Sequence, residues 1–535
     1  ATPSMMHTRL SISLLLLASG SCRAGALDDY VSAPESAFRW FDTQARVPVE
    51  FGGTAHILNV TSLTWMTEAE AVGPNGAEWS HQVAIVVPAN PIGAKTALSV
   101  MTGGCNEGPP QPPDAKEEYL ALAATMANRT GAIAIVVYQL PNCHIVYPSD
   151  PSQKRRSEDA MIAWAWHQFL VTEDHNPLWL PRFPMVKAGF QCMKAVEQYV
   201  SQAVPKADID GWMVGGASKR GWTAWMVGAT TCSTCVTIKG LYPLVPIVPN
   251  LLQSVHLQRQ SLGGFTFAFQ DYLDADIIQH MDDAAFAQLL ALVDPVSPAY
   301  ASRLAQVPKL AVVSSNDEFM QFDWTALNNS WAGLPGETHL LIAPNSEHSL
   351  ATGIPEVLST VLAFYASVDA GEPTSARPSF NVEKDDKTGA VTVTVPSTSP
   401  TPTKVYLRTG QTASNQRRDF RWVRKANNET GECEVKHGEV PISPMEGGGN
   451  CLVPRFWKKT PLQPHGVVND GGLMYTVTPP EPTAAGHYVG YYIELFFASS
   501  TMPHATFMLS TPGYVWPNTL PFPDCDLSTC PTNLL

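Results

Sequence analysis

The sequence predicts two architectures in one chain. An α/β domain, built on a mostly parallel sheet with helices on both faces, is expected over residues 27–370, and an all-β sandwich over residues 371–535. Two observations carry this. From about residue 80 to 365, apolar runs rich in β-branched residues alternate with stretches of helical periodicity. After Ala370 the period drops to two and helical stretches cease. Strands buried on both faces and separated by helices imply a parallel sheet, because the crossover helices cover its faces.

Taken in order, "QVAIVVPAN", "TALSVMTGG" and "AIAIVVYQLPN" read as buried strands. "EDAMIAWAWHQFL" and "MVKAGFQCMKAVEQYV" read as amphipathic helices. Then come a strand at "GWMVGG", a helix from Lys219, and strands at "IKGLYPLVPIV", "PKLAVVSSND" and "THLLIAPNSEH". The linker "DAGEPTSARP" marks the change of pattern. Beyond it, "SFNVEKDDKTGAVTVTV", "TKVYLRTG", "GLMYTVTPP" and "GHYVGYYIELFFAS" alternate apolar with polar residues, and Asp386-Lys387-Thr388-Gly389 supplies a hairpin turn.

Composition narrows the function classes. With 34 basic against 48 acidic residues the net charge is −14, and no long Lys/Arg block offers a nucleic-acid surface. Residues 1–26 are expected to be a signal peptide: basic Arg9, an apolar run from Leu10 to Ala18, and an A-x-A site at Ala24-Gly25-Ala26. That apolar run is too short to cross a bilayer, which takes about 20 residues, so no membrane span is expected. A secreted chain is expected to carry N-glycans, with sequons at Asn59, Asn128, Asn328 and Asn428. It is also expected to form disulfides, with Cys232/Cys235, Cys433/Cys451 and Cys525/Cys530 the preferred pairs. The nine cysteines past the signal, an odd number, leave one thiol over. The C-x-x-C at Cys232 lacks the second pair or histidine cluster that a metal site needs, so no metal or cofactor is expected.

The chemistry centres on "VGGASKRGW". A nucleophilic serine on a sharp strand-to-helix turn wants glycines around it, because flanking Cβ atoms collide when the backbone doubles back. Gly216 stands two positions before Ser218, but the following glycine is Gly221, three positions after it: G-x-S-x-x-G instead of G-x-S-x-G. A serine hydroxyl also needs a base, and the base an orienting acid. Asp317 follows the strand "KLAVVSS" and His348 follows the strand "HLLIAP", in the chain order Ser, Asp, His, where parallel strands deliver loops to one rim of a sheet. Glu318, Asp323 and Asp271 compete with Asp317 for the role. Backbone N–H groups of Lys219 and of Gly104 or Cys105, in the "TGGCN" loop, are the expected oxyanion donors. Arg220 is a candidate for binding a substrate anion; alternatively it and Lys219 are paired within the fold. Cys192 has no histidine placed to activate it. "GGFTFAFQDYLD" is either pocket lining or core.

The segments "LDDYV", "GGASKRGW", "LGGFTFAFQDY", "NDEF" and "APNSEH" resemble the PhoPQ-activated pathogenicity-related family, which includes secreted autocrine proliferation repressors of amoebae. The resemblance runs from Leu27 to the C-terminus. It implies an α/β-hydrolase-like domain with a C-terminal β domain, similarity to prolyl-oligopeptidase-type peptidases, and Ser218, Asp317 and His348 as the triad. The late glycine is then a family trait; glucuronoyl esterases share a similar turn more distantly. Two functions follow as expectations. One is a secreted serine hydrolase acting on a peptide or a small ester or amide; the other is a non-catalytic signalling or adhesive protein that binds a cell-surface receptor.

Overall fold

The computed structural model describes residues 25–91, 93–108, 110–205, 207–328, 330–412, 415–426, 442–444, 449–468 and 470–535. Nearly all of the expected signal segment, together with Asn428 and Cys433, lies outside them. Nine strands form the main sheet: β1 Arg39–Pro48, β2 Thr54–Thr64, β3 Glu78–Val87, β4 Thr96–Met101, β5 Ala134–Val137, β6 Gly211–Ala217, β7 Ile238–Leu244, β8 Lys309–Ser314 and β9 Thr338–Ala343. Their order is β1-β2-β3-β5-β4-β6-β7-β8-β9. The first three pair antiparallel, and β3 meets β5 antiparallel. From β5 to β9 every pairing is parallel.

Residues in β4, β5 and β8 are buried at every position, as strands covered on both faces must be. Period two then sorts their side chains into two cores. Ile135 and Val137 of β5 join a cluster with Phe169, Val186 and Trp225, from the helices Glu158–Val171, Arg182–Ala203 and Lys219–Ala229. Ala134 and Val136 join the opposite cluster with Leu120 and Phe364, from the helices Glu118–Thr130 and Ile354–Asp369. The aromatic stretch between β7 and β8 goes to the core, with Phe265, Phe269 and Tyr272 buried.

The hairpin β1–β2 has no counterpart among the strands expected from sequence. No residue of β1 is buried, and its register shifts between Asp42 and Arg46, so β1 lacks the apolar run that marks the others, whereas Ile57, Leu58, Val60 and Leu63 of β2 are buried.

Downstream of Ala370 the described residues form antiparallel sheets of four, five and three strands. The expected turn at Asp386–Gly389 joins Asn381–Lys384 to Val391–Val395, with the Gly389 N–H on the Asp385 carbonyl and Gly389 at φ 71°. Val391, Val393 and Tyr475 of one sheet share a cluster with Tyr491, Ile493 and Leu495 of another. The region is stitched to the main sheet by side chains: the Ile342 N–H donates to the Ser510 hydroxyl at 3.0 Å, and the Met508 N–H to the Thr360 hydroxyl at 3.1 Å.

The last residues double back onto the α/β region. The Phe265 N–H donates to the Asn533 carbonyl and the Leu535 N–H to the Phe265 carbonyl, each at 2.9 Å, and the His256 ring lies 2.8 Å from Asp524 and 2.9 Å from Asp282. Burial opposes a charge on His256, but hydrogen bonds to the two carboxylates outweigh it and raise its pKa. A raised folded-state pKa stabilises the docked tail fully below the free histidine value of about 6.5, and that stabilisation is lost as pH rises through the folded value. Limited proteolysis of residues 520–535 should therefore quicken on going from pH 6 to 9, and His256→Ala should be fast at both.

Candidate active site

Ser218 is the hinge between β6 and the helix Lys219–Ala229, and its backbone sits at φ 59°, ψ −124°. A left-handed non-glycine residue costs on the order of 1–3 kcal/mol and persists only where its surroundings over-determine it. Here the Ser218 N–H donates to the Leu244 carbonyl at 2.9 Å, and its own carbonyl accepts from Trp222 at 3.0 Å. The two glycines are needed because of that turn. A Cβ on Gly216 would lie 2.9 Å from the Met101 carbonyl oxygen and 2.7 Å from the Arg220 Cβ. One on Gly221 would lie 2.6 Å from the Leu244 oxygen and 2.9 Å from the Gly216 oxygen. The helix thus turns its third residue back onto the strands, and the late glycine falls where the close approach is.

The loops after β8 and β9 bring Asp317 and His348 together, with Asp317 Oδ2 2.9 Å from His348 Nδ1. The carboxylate is held in turn: Oδ2 accepts from the Ser314 hydroxyl at 3.1 Å and Oδ1 from the Phe319 N–H at 2.7 Å. The Phe319 ring covers the imidazole at 4.3 Å between centroids. His348 Nε2 is buried and has no hydrogen-bond partner, so the Asp–His contact is formed and a Ser218–His348 hydrogen bond is not. Burial lowers the His348 pKa, but the charge and hydrogen bond of Asp317 more than offset it, and the net shift is upward. Lys219 acts on His348 in the opposite direction, an electrostatic link between the elbow and the imidazole.

None of the competing carboxylates is hydrogen-bonded to the His348 ring among the described residues. Asp323 is paired with Arg418, and Asp271 has its pKa raised by burial and then by Asp159. Glu318 accepts the His348 backbone N–H at 3.1 Å, and burial followed by the charge of Asp317 pushes its carboxyl up to about 7.

Lys219 opens the helix, where N–H groups have no intrahelical acceptor. In the loop after β4, the N–H of Thr102 donates to Val137 and that of Asn106 to Cys143, while those of Gly103, Gly104 and Cys105 have no backbone partner among the described residues. The Lys219 ammonium lies 3.0 Å from Glu158 and 2.9 Å from Asp159. Arg220 is buried; its guanidinium donates to Glu158 and to the Leu140 carbonyl, so it faces into the fold and not toward a substrate anion. Arg182 holds the Lys219 carbonyl and the Thr223 hydroxyl, stacked 4.4 Å over Trp222, and burial pulls its pKa down to about 9.

Sequence reasoning missed the supports. Glu158 and Arg182 act across long separations that no local motif encodes. The same is true of Asn316, which is fully buried beside Asp317. Its amide donates to the Phe420 carbonyl at 2.7 Å, its carbonyl accepts from Trp422 at 3.1 Å, and its side-chain oxygen accepts from the Trp457 indole at 3.1 Å. Trp457 also donates its backbone N–H to Asn345, three residues before His348, at 2.6 Å. The C-terminal region therefore grips both loops that carry the Asp–His pair.

Disulfides join Cys105 to Cys143, Cys232 to Cys235 and Cys525 to Cys530. The first was not among the expected pairs: its partners are 38 residues apart and meet only because β4 and β5 are neighbours. Cys451 is disulfide-bonded, and its expected partner Cys433 lies outside the described residues. Cys192 is a free thiol whose pKa burial pushes up. Asn128 and Asn328 are exposed, and Asn59 is half-buried in β2. Among the described residues there is no metal-ligand cluster and no helix long and apolar enough to cross a membrane.

A mostly parallel sheet in which β5 lies outside β4, with a left-handed serine after β6, defines an α/β-hydrolase fold. The chain belongs to the PhoPQ-activated pathogenicity-related protein family, which it matches over residues 27–421. It is 29% identical over 530 residues to autocrine proliferation repressor protein A of Dictyostelium discoideum, covering 97% of this chain and 96% of that one. Solved structures similar to it include acetyl xylan esterase 1 of Thermoanaerobacterium sp. JW/SL YS485, at TM-score 0.38 and 14% identity, covering 63% of this chain and 93% of the other. Another is the S-formylglutathione hydrolase of Agrobacterium tumefaciens, at TM-score 0.34 and 15% identity, covering 61% and 98%.

The elbow makes a sharp stability prediction. Gly221→Ala forces a Cβ into two carbonyl oxygens and should destabilise by about 1–3 kcal/mol or more, the cost of overpacking. Gly104→Ala has open space around its Cβ and bears only the left-handed φ of 95°. Thermal melts should rank Gly221→Ala well below Gly104→Ala.

Proposed function

We propose that this protein is a secreted serine hydrolase of peptide, ester or amide bonds. The observation that carries the proposal is the pairing of a left-handed Ser218 at a strand-to-helix elbow with a buried Asp317–His348 contact whose Nε2 is left open. With Nδ1–H donated to Asp317, Nε2 carries the lone pair and serves as base. His348 takes the proton as Ser218 Oγ attacks the substrate carbonyl carbon, and returns it to the leaving group. The N–H groups of Lys219 and of Gly104 or Cys105 receive the oxyanion. Water, deprotonated by His348, then releases the acid and restores Ser218. None of these steps needs a cofactor or metal. The disulfides support an extracellular setting.

A second reading has its own support. The near full-length relative carries the name of an autocrine proliferation repressor, which suggests a secreted signal acting on a receptor without the chemistry. Full retention of any effect on target cells by Ser218→Ala would favour it.

A fluorophosphonate probe should label the wild type and leave Ser218→Ala unlabelled; equal labelling, or none in folded protein, would overturn the hydrolase. Because the base must be neutral and its pKa is raised, the acid limb of kcat/KM should lie above the ordinary histidine value of about 6.5. Asp317→Asn should cut kcat by about 10⁴-fold, as expected when the orienting acid of such a triad is lost.

A further inference from the structure

Gly103 lies directly on an ion pair. A Cβ at that position would sit 2.3 Å from Nη2 and 2.9 Å from Cζ of Arg220, and 3.0 Å from Glu158 Oε1. Arg220 stands two residues after Ser218 on the elbow's own helix, and its guanidinium reaches the Leu140 carbonyl and Glu158. The N–H of Leu140 donates in turn to the Thr102 carbonyl at 3.1 Å, and that of Gln139 to the Gly103 carbonyl at 2.8 Å. The Cys105–Cys143 disulfide and the hydrogen bond from the Asn106 N–H to the Cys143 carbonyl close the far side. The loop after β4 is thereby held from beneath by the elbow helix and from the side by the loop after β5.

Glu158 shows that this arrangement is enforced. It is the first residue of its helix, yet its backbone lies at φ 52°, in the left-handed region that side chains avoid. Its two carboxylate oxygens are divided between neighbours on the elbow, Oε1 to Arg220 and Oε2 to Lys219. A strained residue at a site is retained where the contacts around it fix it.

From this we infer that Arg220 and Glu158 form a positioning clamp, with Gly103 as its seat. The clamp sets the distance between the Lys219 N–H on the elbow and the free N–H groups of Gly104 and Cys105 on the loop. Neither residue touches the reacting atoms. The role rests on the hydrolase reading above, since two oxyanion donors on separate segments are useful only when held at the spacing of one oxygen.

The test compares wild type with Glu158→Gln, Arg220→Met, their double variant and Gly103→Ala, all as full-length protein. Gly103→Ala keeps both charges and wedges a methyl between them, so it decides the matter if a charge variant does not fold. The readouts are p-nitrophenyl acetate turnover, the rate of fluorophosphonate labelling, and amide hydrogen exchange at residues 103–106. Each folded variant should lose kcat by about 10- to 100-fold, the scale of a misplaced donor, with KM within about twofold. Labelling should slow in parallel and exchange at 103–106 should quicken. The double variant should be no slower than the worse single, because the pair acts as one unit. Folded variants with wild-type kcat overturn the clamp alone. A folded wild type that neither turns over the ester nor takes the probe overturns the hydrolase reading, and the positioning role with it.

Discussion

Everything at the candidate site depends on one backbone constraint, the left-handed turn at Ser218. It places the serine at the rim of the sheet by folding the following helix back onto β6 and β7, close enough that neither Gly216 nor Gly221 has room for a methyl group. The cost of the turn is met by ordinary bonds on either side, from the Ser218 N–H to Leu244 and from Trp222 back to Ser218. Moving the second glycine by one residue frees the position after Lys219 for a long cation. Arg220 occupies it and ties the turn to the loop after β4.

Charge is arranged around this turn in layers. Behind it, Arg182 braces the Lys219 carbonyl with no carboxylate in direct contact among the described ion pairs. Beside it, Lys219 and Arg220 are matched by Glu158 and Asp159. Across from it, Asp317 and Glu318 surround His348, one on the ring and the other on the backbone. Lys219 also acts on His348 electrostatically, lowering its pKa against the upward pull of Asp317.

The C-terminal β region belongs to the same structure. Through Asn316 and Asn345 it holds the two loops that present Asp317 and His348, and through Ser510 and Thr360 it is joined to β9 and the last helix of the α/β region. Periodicity reveals the strands of this region but not what they grip, because a buried asparagine has the same letter as an exposed one. Among the described residues, a two-residue step in sequence separates Asn316, a structural bolt, from Glu318, which touches His348.

Sequence alone determined the alternation of buried strands and helices, the change to period two after Ala370, and the order of Ser218, Asp317 and His348 at three strand ends. These are local or one-dimensional properties: apolar periodicity, turn chemistry and chain order. Tertiary structure decided which residues meet. The outer strand β1 carried no buried apolar run to announce it, Cys105 found Cys143 only because their strands are neighbours, and Arg220 is buried against Glu158, the pairing within the fold that its sequence left open. Each of these depends on packing between segments far apart in the chain, where hydrogen bonds and charge pairs are selected by proximity that sequence spacing does not contain.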